Sequence, residues 1–120
     1  MDQIADSTTL SVEDTTWEVR LSEPTFVGGV VGVDWDVDRV QGDSVAAYTM
    51  ELQRNGDPID SFQSDPIGAI VRPAPNNAGR LGGNASPGDT LTLVMLGDGF
   101  PLVELSTTVP SGGGGDYEMV

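Results

Sequence analysis

The chain has no cysteine, no histidine and no lysine among its 120 residues. The missing cysteine excludes disulfides, thiolate metal sites and cysteine nucleophiles. The missing histidine removes the usual general base near neutral pH and the commonest transition-metal ligand, so one copy cannot assemble a Ser-His-Asp triad. The glycine-bearing stretch Gly79 to Gly83 has no lysine after it, as a phosphate loop requires, and no helical pattern follows. No apolar run is long enough to span a bilayer, and Met1 to Leu10 is polar and acidic, so neither a transmembrane segment nor a signal peptide is expected. With these three side chains missing, the sequence predicts a protein that is not an enzyme.

Positive charge is scarce. Nineteen acidic residues face five basic ones, all arginine, for a formal net charge of -14. At low ionic strength such a chain repels itself. At about 1 M salt the screening length falls to roughly 3 Å and most of that repulsion vanishes. The composition resembles that of proteins from halophilic archaea and their viruses. The same charge predicts no nucleic-acid partner, since nothing here neutralises a phosphate track, and no attraction to anionic membranes.

What is abundant is alternation. Val31, Val33, Trp35 and Val37 alternate with Gly32, Asp34, Asp36 and Asp38, so period two puts an oily side and a charged side on one strand. Trp17, Val19 and Leu21 alternate in the same way, and Ser22-Glu23-Pro24 ends that strand. A short strand is expected over Thr8 to Val12. A long one spans Ser44 to Arg54, with Ala46, Tyr48, Met50 and Leu52 inward. Asn55-Gly56 is a hairpin signal, because both residues tolerate positive φ, and the return strand covers Ile59 to Phe62. Further strands are expected at Gly68 to Val71, Thr90 to Leu96 and Leu102 to Val109. The Pro-, Asn- and Gly-rich stretch Arg72 to Asp89 reads mostly as loop, with a short strand near Arg80 and Leu81. No convincing helix and no internal repeat is found. The organisation expected is one β-sandwich domain over residues 1–110 and a flexible glycine-rich tail over 111–120.

The strand series resembles the immunoglobulin-like and fibronectin type III families. The residues that carry the likeness are Val31, Val33 and Trp35, then Tyr48 to Leu52, Asn55-Gly56, Asp89 to Leu93 and Leu102 to Val109. The resemblance covers about residues 25–110. It implies an all-β, antiparallel, immunoglobulin-like sandwich of about seven or eight strands. In it a Trp on the second strand and an aromatic on the third fill the core between two sheets. It also implies binding or spacing roles. The tyrosine usual on the penultimate strand is absent; Leu91, Leu93 and Met95 stand there.

Two further features bear on function. Asp34, Asp36 and Asp38 are hard oxygen ligands suited to Ca²⁺, the one cofactor the sequence suggests. They start like an EF-hand loop, but position six is Arg39 and position twelve Val45, and alternate strand residues lie about 6.5 Å apart. A solvated acidic face is the competing reading. Trp17, Trp35, Tyr48 and Phe62 read as core rather than as a sugar-stacking platform, while Phe26 and Phe100 sit beside turns. The function expected is a non-catalytic structural or interaction module, such as a capsid-decorating or spike-like protein on the virion of a halophilic virus. Its partners would be capsid or surface-assembly subunits and copies of itself in a homo-oligomer. The alternative is a carbohydrate- or calcium-binding module of a haloarchaeal cell-surface, pilus or secreted protein.

Overall fold

The computed structural model describes residues 3–12, 14–42, 48–63, 76–97 and 100–110. They form nine strands: β1 (Ile4–Val12), β2 (Thr15–Ser22), β3 (Thr25–Val27), β4 (Val30–Gln41), β5 (Thr49–Arg54), β6 (Asp57–Gln63), β7 (Asn76–Asn84), β8 (Thr90–Gly97) and β9 (Phe100–Thr108). All pairings are antiparallel. The protein is an all-β, two-sheet sandwich, with one or two strands more than the alternation predicted. Among the described residues no helix is long and apolar enough to cross a membrane.

In the first sheet β4 is the spine. β2 pairs with its second half and β3 with its first three residues, while β7 pairs with Val30 through Asp38. Because β7 shares partners with both, β2 and β3 lie end to end along one side of β4 and β7 lines the other. The break between β2 and β3 falls at Glu23-Pro24, where proline has no N–H to give a ladder. β1 pairs outside β2. The second sheet has the order β6-β5-β8-β9.

Two-residue turns set the hairpins. Asn55 (φ 51°) and Gly56 (φ 91°) are both left-handed, as a type I′ turn requires, so the β5–β6 hairpin forms where the sequence predicts it. Gly28 (φ 63°) and Gly29 (φ 83°) make the same kind of turn between β3 and β4. That hairpin is absent from the sequence reading, although Val27-Gly28-Gly29-Val30 carries its signal.

The inward faces meet as the period-two pattern requires. Val19, Leu21, Val33, Trp35 and Val37 of the first sheet pack against Met50, Leu52, Leu91, Leu93 and Leu105 of the second, all buried. Trp17 is buried too, on the same inward face of β2 as Val19 and Leu21. Trp35 meets Tyr48 edge-on at 6.4 Å and Phe62 at 5.2 Å. Phe62 keeps one flank in water, and Phe26 is half-buried against the core.

The largest departure from expectation is β7. Asn76 to Asn84 is a nine-residue strand, not a loop. Its composition (three glycines and three asparagines) has low strand propensity, and tertiary pairing with the β4 spine overrides it. β1 likewise begins at Ile4, four residues before the strand expected at Thr8. The strand expected at Gly68 to Val71, the start of the one at Ser44, and the tail 111–120 lie outside the described residues.

One end of the sandwich is tied by Asp89. It accepts hydrogen bonds from the Ser86 N–H (2.8 Å) and from Asn55 Nδ2 (3.1 Å), and it pairs with Arg54 Nε at 3.3 Å. These contacts, the Ser86 bond first, hold its carboxyl below the ordinary range. A carboxyl depressed in the folded state adds stability above its unfolded value, and that stability is lost as pH falls through the folded value. Asp89→Asn should therefore destabilise the protein at neutral pH, and the gap to the parent should close as pH drops from about 5 to about 2. Unfolding midpoints at stepped pH check this; a gap that stays constant would mean Asp89 is not the linked group.

Candidate functional site

The outward face of the first sheet collects the features that carry chemistry. On β4, Gly32, Asp34, Asp36 and Asp38 point away from the core, opposite the buried Val31, Val33, Trp35 and Val37. Cross-strand register brings Arg20 of β2 opposite Asp36 and Glu18 opposite Asp38. Arg80 of β7 stands opposite Asp34.

The three predicted carboxylates are each engaged by a guanidinium. Arg20 Nε donates to Asp36 Oδ1 at 2.6 Å and Arg20 Nη2 donates to Asp38 Oδ2, while Glu18 lies 3.6 Å from Nη1. One arginine thus bridges two aspartates one strand repeat apart. The Asp36 hydrogen bond is the main reason the Arg20 guanidinium is held further toward its charged form. Arg80 Nη1 donates to Asp34 Oδ1 at 2.8 Å, and its Nη2 donates to Thr25 Oγ1 at 2.6 Å. Asp36 and Asp38 are therefore brought together around Arg20, and Asp34 is turned to a different arginine. Among the described residues no three acidic side chains converge as a metal centre requires. A Ca²⁺ ion on this face would have to displace a guanidinium.

Beyond the ion pairs, toward the β3–β4 turn, the face changes character. In the register row Thr25–Gly32–Gly82 two of the three residues are glycine. A side chain at Gly32 would strike the Arg80 guanidinium at 2.5 Å, and one at Gly82 would run into the Val31 carbonyl oxygen. Gly32 thus lets Arg80 lie flat across β4, and Gly82 lets β7 close on it. Together they floor a groove of about 490 Å³ walled by Thr25, Val27, Val30 and Arg80. Its lip is apolar: Val27 is 79% exposed and Val30, its register partner, is 52% exposed. Sequence reading missed this feature because it needs β7, which reads as loop. The one available signal was the Gly28-Gly29 pair between two valines.

What the fold and this face define is a class: a two-sheet antiparallel β-domain whose charged face is cross-linked by arginine and whose turn end is apolar. Compared with protein-family models, with curated proteins and with solved structures, the chain matches none.

Proposed function

We propose that this chain is a non-catalytic structural and interaction module of a halophilic assembly, a capsid-decorating or spike-like protein on a virion surface. In this reading an immunoglobulin-like sandwich is held in place by contacts with neighbouring subunits, including copies of itself. The connectivity supports the immunoglobulin-like part. β2, β4 and β7 face β6, β5, β8 and β9, and the chain changes sheets between β4 and β5, β6 and β7, and β7 and β8.

The observation that carries the interaction part is the β3–β4 tip. Val27 and Val30 present adjacent apolar side chains to solvent on a chain of net charge -14. In molar salt, charge–charge attraction between subunits is screened within a few ångströms, whereas apolar contact persists. An exposed apolar tip is therefore the kind of surface around which a subunit interface in brine can form.

The test is a Val27→Asp, Val30→Asp double variant at molar NaCl. Both side chains are exposed, so the unfolding free energy should stay within about 1 kcal/mol of the parent. Sedimentation should show that the parent's oligomer, or its co-assembly with partner subunits, is lost. Unchanged assembly by the double variant would overturn the reading.

A further inference from the structure

Among the described residues five strands have an unpaired side: β1, β7 and the three-residue β3 in the first sheet, β6 and β9 in the second. Such edges offer free N–H and C=O groups to any other strand. The same short device appears at both seams where an edge of one sheet faces an edge of the other.

In β1 the register slips by one residue between Ile4 and Asp6, leaving Ala5 as a bulge. Asp6 follows it. Its Oδ1 accepts the N–H of Ser7 at 2.9 Å, and its Oδ2 reaches across the seam to accept the N–H of Ser106 on β9 at 3.1 Å. In β6 the register slips by one residue between Pro58 and Asp60, leaving Ile59 as a bulge. The Oδ1 of Asp60 accepts the N–H of Ser61 at 2.9 Å, and its Oδ2 crosses the other seam to accept the N–H of Gly82 on β7 at 2.9 Å. The two stretches, Ile4-Ala5-Asp6-Ser7 and Pro58-Ile59-Asp60-Ser61, share the order bulge, aspartate, serine.

The repetition is atom for atom. One carboxylate oxygen is fixed by the next residue's N–H, which aims the other at a backbone donor of the facing sheet. A bulge twists the strand so that the side chain points across the seam instead of along the face. Every edge strand but the three-residue β3 is engaged, each seam from the opposite sheet. At the β7 seam a second cap lies two residues on, where Arg54 Nη1 donates to the Asn84 carbonyl at 3.1 Å. Gly82 N–H and Asn84 C=O therefore face outward, and by strand alternation so do the main-chain groups of Ala78 and Arg80. β7 carries neither lysine nor proline, the usual edge blockers, and its three glycines leave the backbone bare.

We propose that Asp6 and Asp60 are a matched pair of edge locks that bar a second copy of this chain from adding strand-to-strand, with the β7 edge over Ala78 to Asn84 the surface that opens when Asp60 is lost. Neighbours then meet the sandwich by its faces and turns, and edge pairing is suppressed by two carboxylates.

The experiment compares Asp60→Asn, Asp60→Glu and Asp57→Asn with the parent at molar NaCl. Asp57→Asn removes the same charge from the same strand without touching a lock, and Asp60→Glu keeps the charge while displacing the carboxylate. Circular dichroism establishes that each variant is folded. Amide exchange at Gly82 should rise about tenfold in both Asp60 variants, as expected for loss of a charge-assisted hydrogen bond. Light scattering should show association beyond the parent's state, rising with concentration, in both Asp60 variants and not in Asp57→Asn. Unchanged Gly82 exchange, exchange that rises without added association, or equal association by Asp57→Asn would each overturn the proposal. If Asp60→Asn does not fold, Asp6→Asn read at the Ser106 amide gives the same comparison at the other seam.

Discussion

Trp35→Ala is expected to lower the unfolding free energy by about 3–5 kcal/mol, the range for truncating a large aromatic in a packed core. The indole is 1% exposed and bridges the sheets, with Tyr48, just before β5, and Phe62 of β6 on it and Gly79 of β7 beside it in register. A side chain at Gly79 would meet the ring at 2.7 Å, so the indole fills the space that glycine leaves. Removing it leaves a void that no neighbour closes without moving a backbone: the facing residue has no side chain, and Phe62 is held on the β6 edge. The cost should therefore sit toward the upper part of that range. One offset works the other way. Trp35 Nε1 is buried without a hydrogen-bond partner among the described residues, and deleting it recovers the desolvation that N–H suffers, about 1–3 kcal/mol. Trp35→Phe, which loses the N–H but keeps most of the ring, should cost clearly less than Trp35→Ala. Denaturant titration at molar NaCl measures both. A cost below about 1 kcal/mol for the alanine variant would mean that the indole does not hold the sheets together.

How far the fold could be read beforehand depended on whether a strand announces itself by its own side chains. β4, β5 and β8 do so. Their apolar residues recur at period two, and one buried face per strand is enough to fix the register. The pattern also assigned Trp35, Tyr48 and Met50 to the core, where all three are buried. β7 does not announce itself. Leu81 is its one large apolar residue, and its strand state comes from a β4 spine with a free side, a fact about another part of the chain. The same blindness extended to the candidate site. Asp34, Asp36 and Asp38 were visible as an acidic face, but their partners Arg20 and Arg80 come from 16 and 46 residues away by cross-strand register. Without that register, three carboxylates read as a solvated acidic face or a cation site; with it, they are three arms of an ion-pair lattice. The edge locks were hidden for a related reason: Asp6 and Asp60 have meaning only across a seam between two sheets.

Arg20→Met is expected to destabilise the protein strongly in dilute salt and much less in brine. Methionine keeps most of the apolar stem, so the loss is electrostatic. Arg20 is 27% exposed and touches carboxylates that are 20% and 31% exposed, so its pairs are partly shielded from water. Removing it strips the charge-assisted bonds of Asp36 and Asp38 and leaves those two and Glu18 grouped without the guanidinium that joins them. At about 0.1 M NaCl the cost should be about 2 kcal/mol, within the range for hydrogen bonds to charged groups. At molar NaCl, where the screening length is roughly 3 Å, repulsion among the three orphaned carboxylates is damped and about half of that cost should remain. Arg80→Met is the comparison that decides whether shielding matters. Its pair is 53% and 45% exposed, and solvated pairs of that kind contribute about 1 kcal/mol or less. The parent should itself lose stability as NaCl falls from molar to about 0.1 M, because a net charge of -14 is then unscreened. The salt slope of Arg20→Met should be steeper than the parent's, and that of Arg80→Met close to it. Parallel slopes for all three would show that the lattice around Arg20 holds no charge in check, and a parent indifferent to salt would remove the argument from acidity to brine.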